Sequence, residues 1–216
     1  GDLAIGHTRY STAGDTVLLN AQPFSVSCNK GQVAVAHNGN ITNATELREE
    51  LESDGSIFQA SSDTEVILHM VARSRERTLA GALREALIQL EGAYSLVFLA
   101  KDRIIVARDP NGFRPLAMGQ MELSGGRHCY IFASETCAFD LIGAVYLNDV
   151  EPGEMVTVGP EGITRQQFAP ARDRAHCVFE TVYFARPDSL VFGRPVQESR
   201  EMLGRLHRLL RRAITL

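Results

Sequence analysis

The chain has 216 residues, of which 44% are hydrophobic, so it is long enough to bury a sizeable core. Its 22 Lys and Arg residues against 26 Asp and Glu residues give a net charge of −4, which excludes the basic footprint of a protein that binds nucleic acid or an anionic membrane. The chain has no apolar run of membrane-spanning length, no signal-type leader and no paired spacing among its four cysteines, so we expect a cytoplasmic protein.

The first half of the chain predicts a strand followed by three helices. The apolar run at residues 33–36 is typical of a buried strand. Capping-box spacings and apolar residues at helical intervals then predict helices that begin at Asn43, Ser62 and Thr78. We expect the first of these helices to end near Gly55 and the third near Glu91.

The second half of the chain predicts a series of strands and a terminal helix. Runs rich in β-branched and aromatic residues, separated by turn signals, occupy residues 94–100, 103–108, 116–121, 129–133 and 155–158. An apolar stripe with many arginines around it predicts a helix over 197–214. Helices followed by meandering strands favour an antiparallel α+β fold over a βαβ nucleotide-binding fold.

A short polar motif directly follows the first predicted strand. His37, Asn38, Gly39 and Asn40 place an amide side chain beside the backbone N–H of a glycine. Two such donors can hold the negative charge that develops on a reacting carbonyl oxygen. The alternative interpretation is an ordinary Asn-Gly turn, because that dipeptide is common in tight turns.

Several motifs together resemble a known family. Residues 6–14, 20–24, 37–40 and 61–65 resemble the glutamine-hydrolysing domain of class II amidotransferases. Residues 108–116, 133–135 and 177–189 narrow the resemblance to the amidophosphoribosyltransferase family. A glutamine domain of a sugar-phosphate aminotransferase would share the earlier motifs, but it is not expected to carry residues 183–189 in this form.

The resemblance implies a fold and a domain organisation. The fold would be α+β, a four-layer αββα sandwich of antiparallel sheets of the N-terminal nucleophile hydrolase type, followed by the start of a second α/β domain. Residues 1–175 would form the glutamine amidotransferase type-2 domain. Residues 176–216 would form a linker and the start of a phosphoribosyltransferase domain.

The resemblance also assigns roles to six residues. Arg9 would hold the α-carboxylate of glutamine with its planar guanidinium group, and Asp63 would face the α-ammonium group. Asn38 and Gly39 would form the oxyanion hole, and Thr12 and Ser62 would make further contacts with the substrate. The family does not use a histidine at the position of His37 as a base, and we expect this residue to be structural.

The nucleophile that the family uses is an N-terminal cysteine, and no residue here matches it. Gly1 has no side chain that could attack, and the four internal cysteines lie outside any motif that would couple them to a base. We therefore expect a chain truncated at both ends and inactive in glutamine hydrolysis by itself. The alternative is a non-catalytic glutamine-binding or assembly module that has lost its nucleophile.

The resemblance implies partners and cofactors for a longer parent protein. Its substrates would be L-glutamine and phosphoribosyl pyrophosphate, in the first step of de novo purine biosynthesis, and it would form a homo-oligomer. Mg²⁺ would serve the transferase domain. Some members of the family use a cysteine at this point to bind a 4Fe-4S cluster, so Cys177 is a candidate ligand in the parent protein. This chain alone is expected to hold no cofactor.

Overall fold

A computed structural model describes residues 1–8 and 17–214 of the chain. The chain divides into two compact units, Gly1–Phe113 with Val150–Arg174 and Arg114–Asp149 with Ala175–Leu216. These units differ in their bounds from the two predicted domains, 1–175 and 176–216, and the boundary between those domains stays a prediction.

The helices and strands follow one another in a mixed order. After a 3₁₀ turn at Leu18–Asn20, the elements are β1 (Phe24–Cys28), β2 (Gly31–Ile41), α1 (Ala44–Ser53), α2 (Glu65–Arg73), α3 (Leu79–Gln89), β3 (Gly92–Leu99), β4 (Ile104–Arg108), β5 (Ala117–Leu123), β6 (Arg127–Ala133), α4 (Cys137–Ile142), β7 (Val145–Asp149), β8 (Glu154–Gly159), β9 (Gly162–Gln167), a π-helical turn (Glu180–Phe184), β10 (Leu190–Val191), β11 (Arg194–Pro195) and α5 (Val196–Ile214).

The first unit is built on a six-stranded antiparallel sheet with the order β1-β2-β3-β4-β8-β9. Apolar residues of this sheet form one core with the apolar faces of α2 and α3, including Val35, Phe98, Ile67 and Leu83, each 0% exposed. Burying a side chain of this size stabilises the folded state by about 1.5–3 kcal/mol. Helices α2 and α3, which lie in the chain between β2 and β3, are therefore held against the sheet by this shared core.

The second unit contains a three-stranded antiparallel sheet with the order β6-β5-β7 and a small core around Phe139 of α4. Arg114 donates to a carboxylate oxygen of Glu180 at 2.7 Å. Burial nevertheless raises the pKa of Glu180, because the guanidinium group offsets only part of the desolvation. The ion pair between Arg114 and Glu180 therefore links the π-helical turn to the segment that precedes β5.

The antiparallel α+β class is confirmed, and so are the three early helices, the terminal helix and the five predicted strands. The sequence patterns missed β1, β7, β9, α4 and the two-residue strands β10 and β11. β1 alternates between apolar and polar residues, but over only five positions, and the other elements are short or largely exposed. The strand predicted at 33–36 extends over 31–41. No helix in the described ranges is both long and apolar enough to cross a membrane.

Both predicted capping boxes are wrong in detail. Asn43 does not cap α1: its side chain donates to the carbonyl oxygen of Gln89 and accepts from the N–H of Glu91. α2 begins at Glu65 rather than at Ser62, and the Glu65 carboxylate accepts from backbone N–H groups of the preceding loop. The side chains of Asn43 and Glu65 therefore form hydrogen bonds with other parts of the chain instead of capping the helices.

The third helix has a true N-cap at Thr78, whose hydroxyl oxygen accepts from the N–H of Gly81 at 3.1 Å. Thr78→Ala is expected to lower the free energy of unfolding by about 1 kcal/mol, because it leaves that N–H without its partner. Thr78→Ser keeps the hydroxyl and is the matched control. Chemical denaturation of the three proteins measures the effect, and equal losses in both variants would contradict a capping role.

Candidate functional site

The motif 37–40 lies inside strand β2, so the interpretation of Asn-Gly as a turn is wrong. Asn38 pairs with Ser95 of β3, and Gly39 pairs with Tyr94. On the other side of β2, the register with β1 ends at the pair of Val35 with Phe24. Among the strands that the structure describes, the last six residues of β2, 36–41, therefore pair with β3 alone.

The backbone of Gly39 faces the open edge of β2. Both backbone polar groups of Tyr94 are directed at Asp109. The N–H of Tyr94 donates to the Asp109 carboxylate at 3.2 Å, and the C=O of Tyr94 accepts from the N–H of Asp109 at 2.9 Å. Because the two polar groups of one strand residue point to the same side, Tyr94 does not exchange hydrogen bonds with Gly39. The N–H of Gly39 accordingly points away from β3.

Side chains satisfy the neighbouring N–H groups on this edge. The N–H of His37 donates to the side-chain oxygen of Gln22 at 2.7 Å, and the N–H of Ile41 donates to Asp63 at 2.9 Å. Between them, the N–H of Gly39 donates to no residue in the part of the chain that the structure describes. One backbone donor is thus left over, beside the half-buried Asn38.

A side chain at position 39 would not fit. A Cβ there would collide with the backbone carbonyl of Ala93 and would lie 2.8 Å from Nε2 of His37. The φ angle of Gly39 is 154°, which also favours glycine. The close approach of β3 thus accounts for the glycine. An N–H that meets no acceptor among the described residues, next to an amide side chain, can bind an oxyanion.

Asp63 lies in the turn before α2 and reaches across to β2. One carboxylate oxygen accepts from Ile41, and the other accepts from the hydroxyl of Thr64 at 3.2 Å and lies 3.7 Å from Nδ1 of His37. Burial acts to raise the pKa of this carboxyl, but His37 and these hydrogen bonds outweigh it, so the pKa is lower than usual. The carboxylate is ionised at neutral pH and keeps lone pairs for a cation.

The segment 20–24 holds these groups in place, although the sequence analysis used it only as part of the family motif. The side-chain oxygen of Gln22 accepts from the N–H of His37, and its side-chain nitrogen donates to the hydroxyl of Thr64 at 3.4 Å. Asn20, which is 0% exposed, donates to the hydroxyl of Ser61 and accepts from its N–H. Polar residues at 20 and 22 in an otherwise apolar region were the available signal for this role.

The structure brings together some of the predicted site residues. Asn38, Gly39 and Asp63 lie on adjacent parts of the first unit, and the hydroxyl of Ser62 accepts from the N–H of Thr64 and lies 3.4 Å from Asp63. Arg9 and Thr12 lie outside the described residues. The roles of all six residues in catalysis and substrate binding stay predictions.

Cys177 belongs to the second unit, where its sulfur lies 3.9 Å from the Arg114 guanidinium group. Within the described ranges, no three His, Cys, Asp or Glu side chains are grouped so that they could hold a metal ion. These residues by themselves therefore do not fit an iron–sulfur cluster.

The antiparallel α+β fold is of the N-terminal nucleophile hydrolase type, the fold class of the solved relatives to which the chain is similar. A sequence model described as the glutamine amidotransferase domain matches residues 7–140, more than half of the chain. The chain belongs to this glutamine amidotransferase family.

Named relatives narrow the similarity within the family. The chain is 50% identical over 206 residues to amidophosphoribosyltransferase 2, chloroplastic, of Arabidopsis thaliana, covering 95% of this chain and 36% of that protein. The solved glutamine phosphoribosylpyrophosphate amidotransferase of Bacillus subtilis, in complex with ADP and GMP, superposes with a TM-score of 0.84 at 46% identity, covering 92% of this chain and 42% of that one.

A second solved structure, described as that of the allosteric regulatory enzyme of purine biosynthesis, superposes with a TM-score of 0.85 at 47% identity and the same coverage. The chain thus spans less than half the length of these relatives.

Proposed function

We propose that this chain is the glutamine-hydrolysing part of an amidophosphoribosyltransferase. The observation that carries the proposal is the Gly39 N–H, which the fold leaves without an acceptor among the described residues at the open edge of β2. Asn38 lies next to it, and Asp63 is bonded to Ile41, two residues further along the same edge. Donors for an oxyanion and a carboxylate for an ammonium group thus share one strand edge.

Glutamine supplies the groups that match this edge. Its side-chain carbonyl oxygen becomes an oxyanion when a nucleophile attacks, and the N–H of Gly39 and the amide of Asn38 would stabilise that charge. Its α-ammonium group would pair with ionised Asp63, and Arg9 would hold the α-carboxylate. In the family, the nucleophile is an N-terminal cysteine and its own α-amino group is the base. The reaction consumes water and yields glutamate and ammonia.

The second reaction of the proposed enzyme lies in the part of the relatives that this chain does not span. Ammonia would displace pyrophosphate from phosphoribosyl pyrophosphate and give 5-phosphoribosylamine, the first step of de novo purine biosynthesis. The names of the Bacillus subtilis and purine-biosynthesis structures support this assignment. Mg²⁺ would serve that reaction by neutralising the charge of the pyrophosphate group.

The remaining expectations concern cofactor, assembly and location. A 4Fe-4S cluster with Cys177 as one ligand, and a homo-oligomeric state, are proposed for the parent protein only. We place the protein in the cytoplasm, in agreement with the four free cysteines. The Arabidopsis thaliana relative is named as chloroplastic, which is a statement about that protein.

The proposal is tested with the protein as its gene encodes it. We expect glutamate release from glutamine and, when phosphoribosyl pyrophosphate and Mg²⁺ are added, release of one pyrophosphate per glutamate. Glutamine binding without glutamate release would favour the non-catalytic module. Ammonia transfer to a sugar phosphate instead of phosphoribosyl pyrophosphate would favour the sugar-phosphate aminotransferase.

A further inference from the structure

His37 is a buried histidine whose two ring nitrogens have different surroundings. The residue is 4% exposed. Nδ1 lies 3.0 Å from the hydroxyl oxygen of Thr64, whereas Nε2 has no hydrogen-bond partner among the described residues. A buried ring nitrogen without a donor or acceptor is uncommon and calls for a physical explanation.

The direction of the hydrogen bond between His37 and Thr64 follows from the neighbouring carboxylate. A threonine hydroxyl has one hydrogen and two lone pairs, and ionised Asp63 can only accept. The hydroxyl of Thr64 lies 3.2 Å from Asp63, so its hydrogen is donated there. Its lone pairs then accept from Gln22, at 3.4 Å, and from Nδ1 of His37.

The opposite direction would place lone pairs against each other. If Thr64 donated to Nδ1, its remaining lone pairs would face the Asp63 oxygen, and the bare Nδ1 would also lie 3.7 Å from that oxygen. These contacts are repulsive in a buried environment, where electrostatic interactions are stronger than in water. The geometry therefore requires a hydrogen on Nδ1.

We propose that His37 is a positioning residue for the substrate-binding carboxylate, acting through a hydrogen on Nδ1, while the buried Nε2, which has no acceptor among the described residues, carries none. It donates to Thr64, Thr64 donates to Asp63, and Asp63 is thereby held with its other oxygen on the N–H of Ile41. Nε2 is left as a lone-pair acceptor on the side of Gly39, where a Cβ would lie 2.8 Å from it.

This role does not make His37 a base or a nucleophile. It gives the sequence motif at 37–40 two functions on one strand, because the histidine orients the carboxylate and the following two residues supply the oxyanion donors. The functional consequence rests on the proposed function, since it concerns glutamine binding through Asp63. The tautomer itself does not depend on any substrate.

The tautomer is measured by NMR on the unaltered protein labelled with ¹⁵N in its histidines, at neutral pH and without glutamine. The ¹⁵N shifts distinguish a ring nitrogen that carries a hydrogen from one that does not. We expect His37 to show a protonated Nδ1 and an unprotonated Nε2. A hydrogen on Nε2, alone or together with one on Nδ1, would overturn the proposal.

Two substitutions separate the two ring nitrogens in function. His37→Asn places an amide N–H close to the position of Nδ1, whereas His37→Gln places one close to that of Nε2. We expect the KM for glutamine in His37→Gln to exceed that in His37→Asn by roughly three- to tenfold, the equivalent of one neutral hydrogen bond. We expect similar kcat values in the two variants, because neither substitution changes the oxyanion donors.

The outcomes are distinguishable from a failure of the proposed function. If the protein as its gene encodes it does not hydrolyse glutamine, the proposed function fails, and the NMR result alone judges the tautomer. If it does hydrolyse glutamine, equal KM values in the two folded variants, or a higher KM in His37→Asn, would overturn the positioning role. Circular dichroism spectra establish that each variant is folded, and the NMR result decides if one is not.

Discussion

Gly39→Ala, introduced into the protein as its gene encodes it, is expected to reduce the kcat of glutamine hydrolysis about 10²–10³-fold, the effect typical of losing one oxyanion donor. The added Cβ would collide with the carbonyl of Ala93, so β2 and β3 must move apart at this point. That movement redirects the N–H of Gly39 and disturbs the pairing with Tyr94. Overpacking of this kind also lowers the free energy of unfolding by about 1–3 kcal/mol.

Gly31→Ala is the matched control in the same strand. Gly31 has a φ of 97°, and an added Cβ would meet no atom within 4 Å. It therefore strains the backbone without a collision and lies at the far end of β2 from the site. We expect a loss of stability with kcat nearly unchanged. Similar kcat values for Gly39→Ala and the unaltered protein, measured by steady-state glutamate release, would count against the assigned oxyanion donor.

Asp63→Asn is expected to raise the KM for glutamine by roughly 10- to 150-fold, which corresponds to the 1.5–3 kcal/mol of a hydrogen bond to a charged group. The substitution removes the negative charge that would pair with the α-ammonium group. It also removes one of the two carboxylate oxygens that accept from Ile41 and Thr64. A glutamine analogue without the ammonium group should lose little affinity in this variant, and an equal loss would contradict the pairing.

The same substitution should change the acid limb of the stability profile. The pKa of Asp63 is lower in the folded protein than its usual value, so the unfolded chain binds more protons at acid pH. The stabilisation by the carboxylate is present above the unfolded pKa and is lost as the pH falls through the folded pKa.

Denaturation at a series of pH values between neutrality and about pH 3, where the carboxyl groups titrate, measures this loss. We expect a shallower decline for Asp63→Asn than for the unaltered protein. Asp140→Asn, at an exposed position of α4 in the second unit, is the control for general charge effects. Parallel curves for Asp63→Asn and Asp140→Asn would show that Asp63 is not stabilised in the folded state.

Local sequence patterns were sufficient for the long helices and for the strands rich in β-branched residues. α3 is an example, since its N-cap at Thr78 and its buried face follow from residue types a few positions apart. The same kind of reasoning failed at Asn43 and Glu65, where partners distant in sequence or in a preceding loop compete for the capping side chains. Short exposed strands such as β9 have no periodicity that a single sequence can reveal.

By itself, the sequence determined the α+β class, the family resemblance and the residue types at the candidate site, because these depend on composition, periodicity and motif spacing. Only the tertiary structure decided that the N–H of Gly39 points away from β3 and meets no acceptor among the described residues. This arrangement requires β1 to end its pairing at Val35, and it requires Asp109 to hold the backbone of Tyr94 on the far side of β3. Residues far apart in sequence set both conditions, since the direction of a strand N–H depends on register rather than on residue type.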